Sequence, residues 1–161
     1  LLRAETIDPK NENTQLEIAA LYGRTGRYDE ALRRVVPLYN RSSDSASLAN
    51  FYGYLLAEKG ESLDLAEKLV AKALAKEPEN GYFLDSLGWI RFKQGDSRAA
   101  LDILLTAAEK AGDDPVIWEH IGDAYAALEE RAKARDAYRK SLELDPTSRA
   151  VADKVKKFGG R

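Results

Sequence analysis

The stretch "VIWEHIGDAY", Val116–Tyr125, sets a tryptophan, an isoleucine, a glycine and a tyrosine at spacings of three, one and three. Residues three and four apart are neighbours on a helix surface, so Trp118, Ile121, Gly122 and Tyr125 share one face. Such a face is either a binding box of aromatics or a packing device, in which the glycine lets a second helix come close. The flanks favour packing. Asp114–Pro115 immediately before it is a helix N-cap followed by proline at the first helical position. Twelve residues beyond Gly122 stands another small residue, Ala134.

The same arrangement recurs along the chain. Ala19 with Tyr22, Gly53 with Leu56, Gly88 with Arg91 and Gly122 with Tyr125 fall into register, at successive offsets of 34, 35 and 34. A second small residue follows each: Ala31, Ala66, Ala100 and Ala134. The one extra residue, in the second copy, belongs in the turn-like "KGESLD". Gly26, Gly60 and Gly95 are placed to stop a first helix before a second begins. The period defines four repeats at 12–45, 46–80, 81–114 and 115–148. Residues 1–11 read as the end of a preceding partial repeat. In 149–161, Val151, Val155 and Phe158 make one apolar stripe on a short capping helix, with Lys154, Lys156 and Lys157 expected to face water.

Each copy resembles the tetratricopeptide repeat, a helix–turn–helix unit of about 34 residues. The fourth fits best, through Trp118, Ile121, Gly122, Tyr125, Ala134, Tyr138, Ser141 and Pro146. The third keeps Leu84, Leu87, Gly88, Ala100, Leu104 and Ala107 but has Arg91 where the pattern wants tyrosine. The second keeps Tyr52, Gly53, Ala66, Val70, Ala73 and Pro78. The first has Ile18, Ala19, Tyr22, Ala31 and Val35 and lacks the closing proline. The resemblance implies an all-α, right-handed superhelical solenoid of stacked repeats. Within it, Trp118, Ile121, Tyr125 and Tyr138 fill the space around a close glycine–alanine contact, where near-crystalline packing constrains side-chain volume.

Composition narrows the functions available. The chain is 44% hydrophobic and 32% charged with a net charge of −2, which gives no electrostatic reason to expect nucleic acid as a partner. No cysteine is present, so disulfides, thiolate catalysis and cysteine-based zinc sites are excluded. His120 is the sole histidine, and one histidine without cysteine does not assemble a catalytic triad or a metal cage. Asp113–Asp114 reads as turn chemistry, Glu129–Glu130 as a solvated turn, and "FGGR" as too short to cradle phosphate. The expectation is a non-enzyme without cofactor or metal. The chain has no methionine and reads as a piece of a longer or processed protein. Membrane contact is expected only through an upstream anchor.

Function then lies in the groove that the first helices line. The resemblance places groove positions at Asn13, Leu16, Ala20 and Gly23; at Ser47, Asn50, Tyr54 and Ala57; at Tyr82, Asp85, Trp89 and Phe92; and at Val116, Glu119, Asp123 and Ala126. Trp89 follows the packing glycine Gly88 and is expected to point away from the intra-repeat contact. Tyr54 holds the equivalent place one repeat earlier. Tyr54, Tyr82, Trp89 and Phe92 are expected to form an aromatic wall, with Asp85, Glu119 and Asp123 as an acidic border and Asn50 beside it. Exposed aromatic surface of this kind marks a binding site. Some relatives hold acidic chaperone tails in a two-carboxylate clamp of lysine, asparagine and arginine. The matching positions here hold Leu16, Ala20, Phe51, Val116 and His120, so the clamp is absent. The expected partner is a protein or peptide segment with apolar anchors and some Lys or Arg. Self-association into a larger assembly is the alternative. "LANFYGYLLAEKG" with "YFLDSLGWIRFKQGDSRAAL" is similar to repeats of bacterial cell-envelope lipoproteins that act as scaffolds or adaptors, which implies a periplasmic or outer-membrane face rather than the cytoplasm.

Overall fold

The computed structural model describes residues 12–158. The expected partial repeat at 1–11 and the final glycines of "FGGR" lie outside the described residues. Those residues hold nine helices and no strand: α1 (Glu12–Arg24), α2 (Tyr28–Arg41), α3 (Ala46–Lys59), α4 (Leu63–Lys76), α5 (Gly81–Lys93), α6 (Ser97–Ala111), α7 (Pro115–Ala127), α8 (Arg131–Leu144) and α9 (Arg149–Phe158). The chain forms two compact bodies, Leu1–Glu77 and Pro78–Arg161. The first contains the hairpins α1–α2 and α3–α4. The second contains α5–α6 and α7–α8, with α9 packed on α8.

Local chemistry sets the helix ends. Asn80 accepts from the backbone N–H groups of Tyr82 and Phe83, Asp96 from Ala99, and Asp114 from Val116 and Ile117. These caps satisfy donors that a helix start otherwise leaves orphaned. Each first helix closes seven residues after its small anchor, on a left-handed residue: Gly26, Gly60, Gly95 and, in the fourth repeat, Glu129 at φ 60°. The next N–H then reaches back to a carbonyl of the last helical turn, as in Arg27 to Tyr22 and Glu130 to Tyr125. The extra residue of the second repeat follows Gly60, where Ser62 takes a further positive φ of 51°.

The anchors are at close helix contacts. A Cβ on Gly53 would stand 2.8 Å from the Ala66 carbonyl oxygen, one on Gly88 2.7 Å from Leu104, and one on Gly122 would overlap the edge of the Tyr138 ring. Ala19, Ala31, Val35 and Leu55 form a buried core in the N-terminal body. Leu101, Leu104, Ile117, Ile121 and Ala124 do so in the C-terminal one. Ile121 and Tyr138 are fully buried, as the packing argument expects. Trp118 and Tyr125 are only half-buried against that core. The indole N–H of Trp118 is buried with no hydrogen-bond partner among the described residues.

Candidate functional site

The expected groove residues of the C-terminal body lie on α5 and α7. These helices run side by side, joined through Asp85, Trp89 and His120. The Trp89 indole stacks on the His120 ring, centroids 4.0 Å apart and planes 12° from parallel. It also stacks on Phe92, at 5.0 Å and 7°, and the Lys93 ammonium stands 4.7 Å from the indole. Trp89 is 8% exposed. The expectation of an outward-facing tryptophan is therefore corrected. A first-helix position that points away from its own hairpin partner faces the next first helix, and there the indole is covered. The border role expected of Asp85 is corrected on the same ground. Asp85 is buried, with Oδ1 2.8 Å from Nδ1 of His120. A carboxylate in apolar surroundings requires such a partner.

Glu119 and Asp123 are not a bare acidic border either. Lys154 of α9, expected to face water, brings its ammonium to 2.8 Å from Glu119 and to 2.7 Å from both carboxylate oxygens of Asp123. Burial alone lowers the pKa of Lys154. The hydrogen bonds and charges of Asp123 and then Glu119 outweigh that and hold it above the ordinary lysine value. The Tyr138 hydroxyl donates to Asp123 at 2.8 Å, and burial followed by this hydrogen bond pushes its pKa upward. Two negative charges and one positive thus leave a net −1 at this end of the face. Val151 is buried beside Tyr138 and Ala134, with Val155 and Phe158 packed against them.

Two large apolar side chains remain in solvent on these helices. Tyr82 is 56% and Val116 44% exposed. They occupy the same position, the second residue of α5 and of α7. Phe92 is half-buried on the indole. In the N-terminal body Tyr54 is half-buried, and the Asn50 side-chain oxygen is buried without a partner among the described residues.

Positions one repeat apart form a recurrent seat between successive first helices. Asp85 meets His120 and Glu119 meets Lys154 at the same separation, |i−j| = 35. Leu16 and Phe51, equally spaced, line one cleft of the N-terminal body. Sequence reasoning missed the Asp85–His120 pair and the Lys154 bridge. Their common separation of one repeat length is the only sequence signal that both carry. Among the described residues no group of three His, Cys, Asp or Glu side chains could hold a metal ion, and no helix is long and apolar enough to cross a membrane.

Comparison with known proteins agrees with this geometry. Two family models, both described as tetratricopeptide repeat, match residues 60–115 and 115–148. A TPR repeat-containing protein of Pseudomonas aeruginosa is 34% identical over 83 residues, which is 52% of this chain and 14% of that protein. The match therefore spans a small part of the relative's length. The crystal structure of a thermophilic TPR protein from Thermus thermophilus superimposes with a TM-score of 0.78 at 19% identity, over 97% of this chain and 85% of that one. The first TPR of Spaghetti (RPAP3), bound to the HSP90 peptide SRMEEVD, gives a TM-score of 0.65 at 19% identity, over 71% of this chain and 90% of that one. The chain belongs to the tetratricopeptide-repeat family, and its fold is an all-α helical repeat solenoid.

Proposed function

We propose that the chain is a non-enzymatic scaffold or adaptor that holds a peptide or helical segment of a partner protein on its first-helix face. The observation that carries this reading is the pair Tyr82 and Val116. Each is a large apolar side chain left in solvent at the same helical position of neighbouring helices. Aromatic side chains kept exposed on such a rigid platform are the usual anchors of a protein interface. In this reading Tyr82 and Phe92 touch the partner, while Trp89 and the Asp85–His120 pair stiffen the surface beneath. Glu119 and Asp123, shared with Lys154, favour a basic neighbour over an acidic one. On the N-terminal body, Asn50 and half-buried Tyr54 are proposed as a separate contact of that body's own.

The peptide held by the first TPR of Spaghetti carries two glutamates and an aspartate. The face described here offers carboxylates instead, and its resemblance to the acidic-tail clamp is lost at Leu16, Ala20, Phe51, Val116 and His120. A periplasmic or outer-membrane-facing location belongs to this proposal and is checked by osmotic-shock fractionation of producing cells.

The test is capture of partner proteins by the full chain, compared with a Tyr82→Ala/Val116→Ser double variant of unchanged melting temperature. Loss of binding by tenfold or more is expected. Undiminished binding sinks the assignment of this face. Sedimentation at two concentrations separates partner binding from self-association.

A further inference from the structure

The seat that Trp89 fills in the C-terminal body has a counterpart two repeats earlier, between α1 and α3. There Leu16 stands for Asp85, Ala20 for Trp89, Leu48 for Ile117 and Phe51 for His120. The consequence is geometric. Ala20 supplies a methyl group where Trp89 supplies an indole, and a cleft of about 470 Å³ opens, walled by Leu16, Ala20, Leu48 and Phe51. Glu17, Ser45 and Ser47 complete its lining. The volume lies within the range typical of ligand pockets, roughly 300–1,000 Å³. Glu17 is exposed and has no ion pair or hydrogen bond among the described residues. Among the described residues no Lys or Arg lines the cleft.

We infer that this cleft receives an aromatic side chain of the partner, a tryptophan or phenylalanine flanked by Lys or Arg, which takes the place that Trp89 occupies in the other body. The inference rests on the scaffold reading above and says which segment that scaffold prefers. The shape argument comes from the chain itself. The equivalent seat is filled by a ring lying flat on the residue at the Phe51 position, at 4.0 Å and 12°. Phe51 offers a ring in place of the imidazole, and offset-stacked aromatic pairs are favourable beyond their buried area. The charge argument comes from Glu17, which pairs with a basic residue next to the aromatic one and repels an acidic one.

The probe is the blocked tripeptide acetyl-Lys-Trp-Lys-amide, titrated into the isotope-labelled full chain and followed by amide chemical shifts. Saturable shifts at Leu16, Ala20, Ser47, Leu48 and Phe51 are expected, at least tenfold weaker with acetyl-Lys-Ala-Lys-amide. Glu17→Gln should weaken binding a few-fold and flatten its salt dependence. Ala20→Trp fills the seat from within and should abolish the shifts while the melting temperature holds or rises. Ser47→Arg, an exposed change at the mouth, gives the same reading if Ala20→Trp fails to fold. Shifts confined to Tyr82 and Val116, or shifts at neither place, would overturn this inference and leave the scaffold reading to its own capture test. Undiminished binding by Ala20→Trp or Ser47→Arg would also overturn it. So would cleft shifts in the free chain that grow with concentration, which assign the seat to a second copy, or that vanish when residues 1–11 are removed, which assign it to the chain's own N-terminal segment.

Discussion

Between α1 and α3 the molecule has a cleft, and at the equivalent place between α5 and α7 it has an indole on an imidazole. The backbone plan is common to both places. The differences that matter most are one position, Ala20 against Trp89, and one pair, Leu16 and Phe51 against Asp85 and His120. A repeat fold fixes where successive first helices meet but leaves open what fills the meeting place, because each repeat needs only to match its neighbour. The filled seat buries its indole in the C-terminal body, and the open one leaves apolar side chains lining a cleft in the N-terminal body.

The largest effect should come from emptying the filled seat. Trp89→Ala removes a buried ring that touches Phe92 and His120. Large-to-small changes of this kind cost about 3–5 kcal/mol. Trp118→Ala should cost less, because Trp118 is half-buried. Trp118→Phe should be close to neutral, since it removes an indole N–H that has no partner among the described residues. Urea denaturation of the three variants orders them, and a Trp118→Ala loss larger than that of Trp89→Ala would reverse the comparison.

Next come the anchors. The first repeat accepts a methyl group at Ala19, whereas Gly88 and Gly122 face side chains of the second helix at overlapping distance. Gly122→Ala should therefore cost about 1–3 kcal/mol by overpacking. Ala19→Gly should cost only about 0.5–1 kcal/mol, from chain flexibility. Equal melts for the two variants would mean that Tyr138 swings aside freely, against its full burial.

A third test exchanges the polar pair for the apolar one. Asp85→Leu alone leaves His120 Nδ1 buried without the carboxylate that faces it, at a cost of about 1–3 kcal/mol. Asp85→Leu with His120→Phe installs the Leu16–Phe51 chemistry, and replacing both partners should recover most of the loss. The coupling in a double-mutant cycle is the measurement. Additive losses would show that the pair does not act as a unit.

These contrasts also mark what is legible in the amino-acid order. The small anchors Ala19, Gly53, Gly88 and Gly122 reveal the period, the hairpins and the intra-repeat contacts, because a backbone approach demands a missing side chain whatever surrounds it. They do not tell whether Trp89 is covered. A helical face of period 3.6 says which way a residue points, and the cover depends on His120, in the next repeat, whose own face must be known too. The Lys154 bridge is hidden for a related reason. The capping stripe Val151, Val155 and Phe158 reads as a polar-backed helix, whereas α9 starts one repeat length after α7 and presents Lys154 as a further first helix would.

A small effect is expected in the turns. In the first three repeats a glycine takes the left-handed residue that ends the first helix, and in the fourth Glu129 takes it, at φ 60°. A side chain there crowds the following carbonyl, which costs roughly 1–2 kcal/mol relative to glycine's freedom. Part of that is returned because glycine also loosens the unfolded chain. The Glu129 carboxylate has no ion pair or hydrogen bond among the described residues, whereas its neighbour Glu130 pairs with Lys133 and Arg98. Glu129→Gly should therefore raise stability by about 0.5–1 kcal/mol, while Gly95→Glu, the reverse change in the third repeat, should lower it by a similar amount. Paired urea melts check both signs. If Glu129→Gly is destabilising, the fourth turn is held by something other than its backbone, and the equivalence of the four repeats ends at that residue.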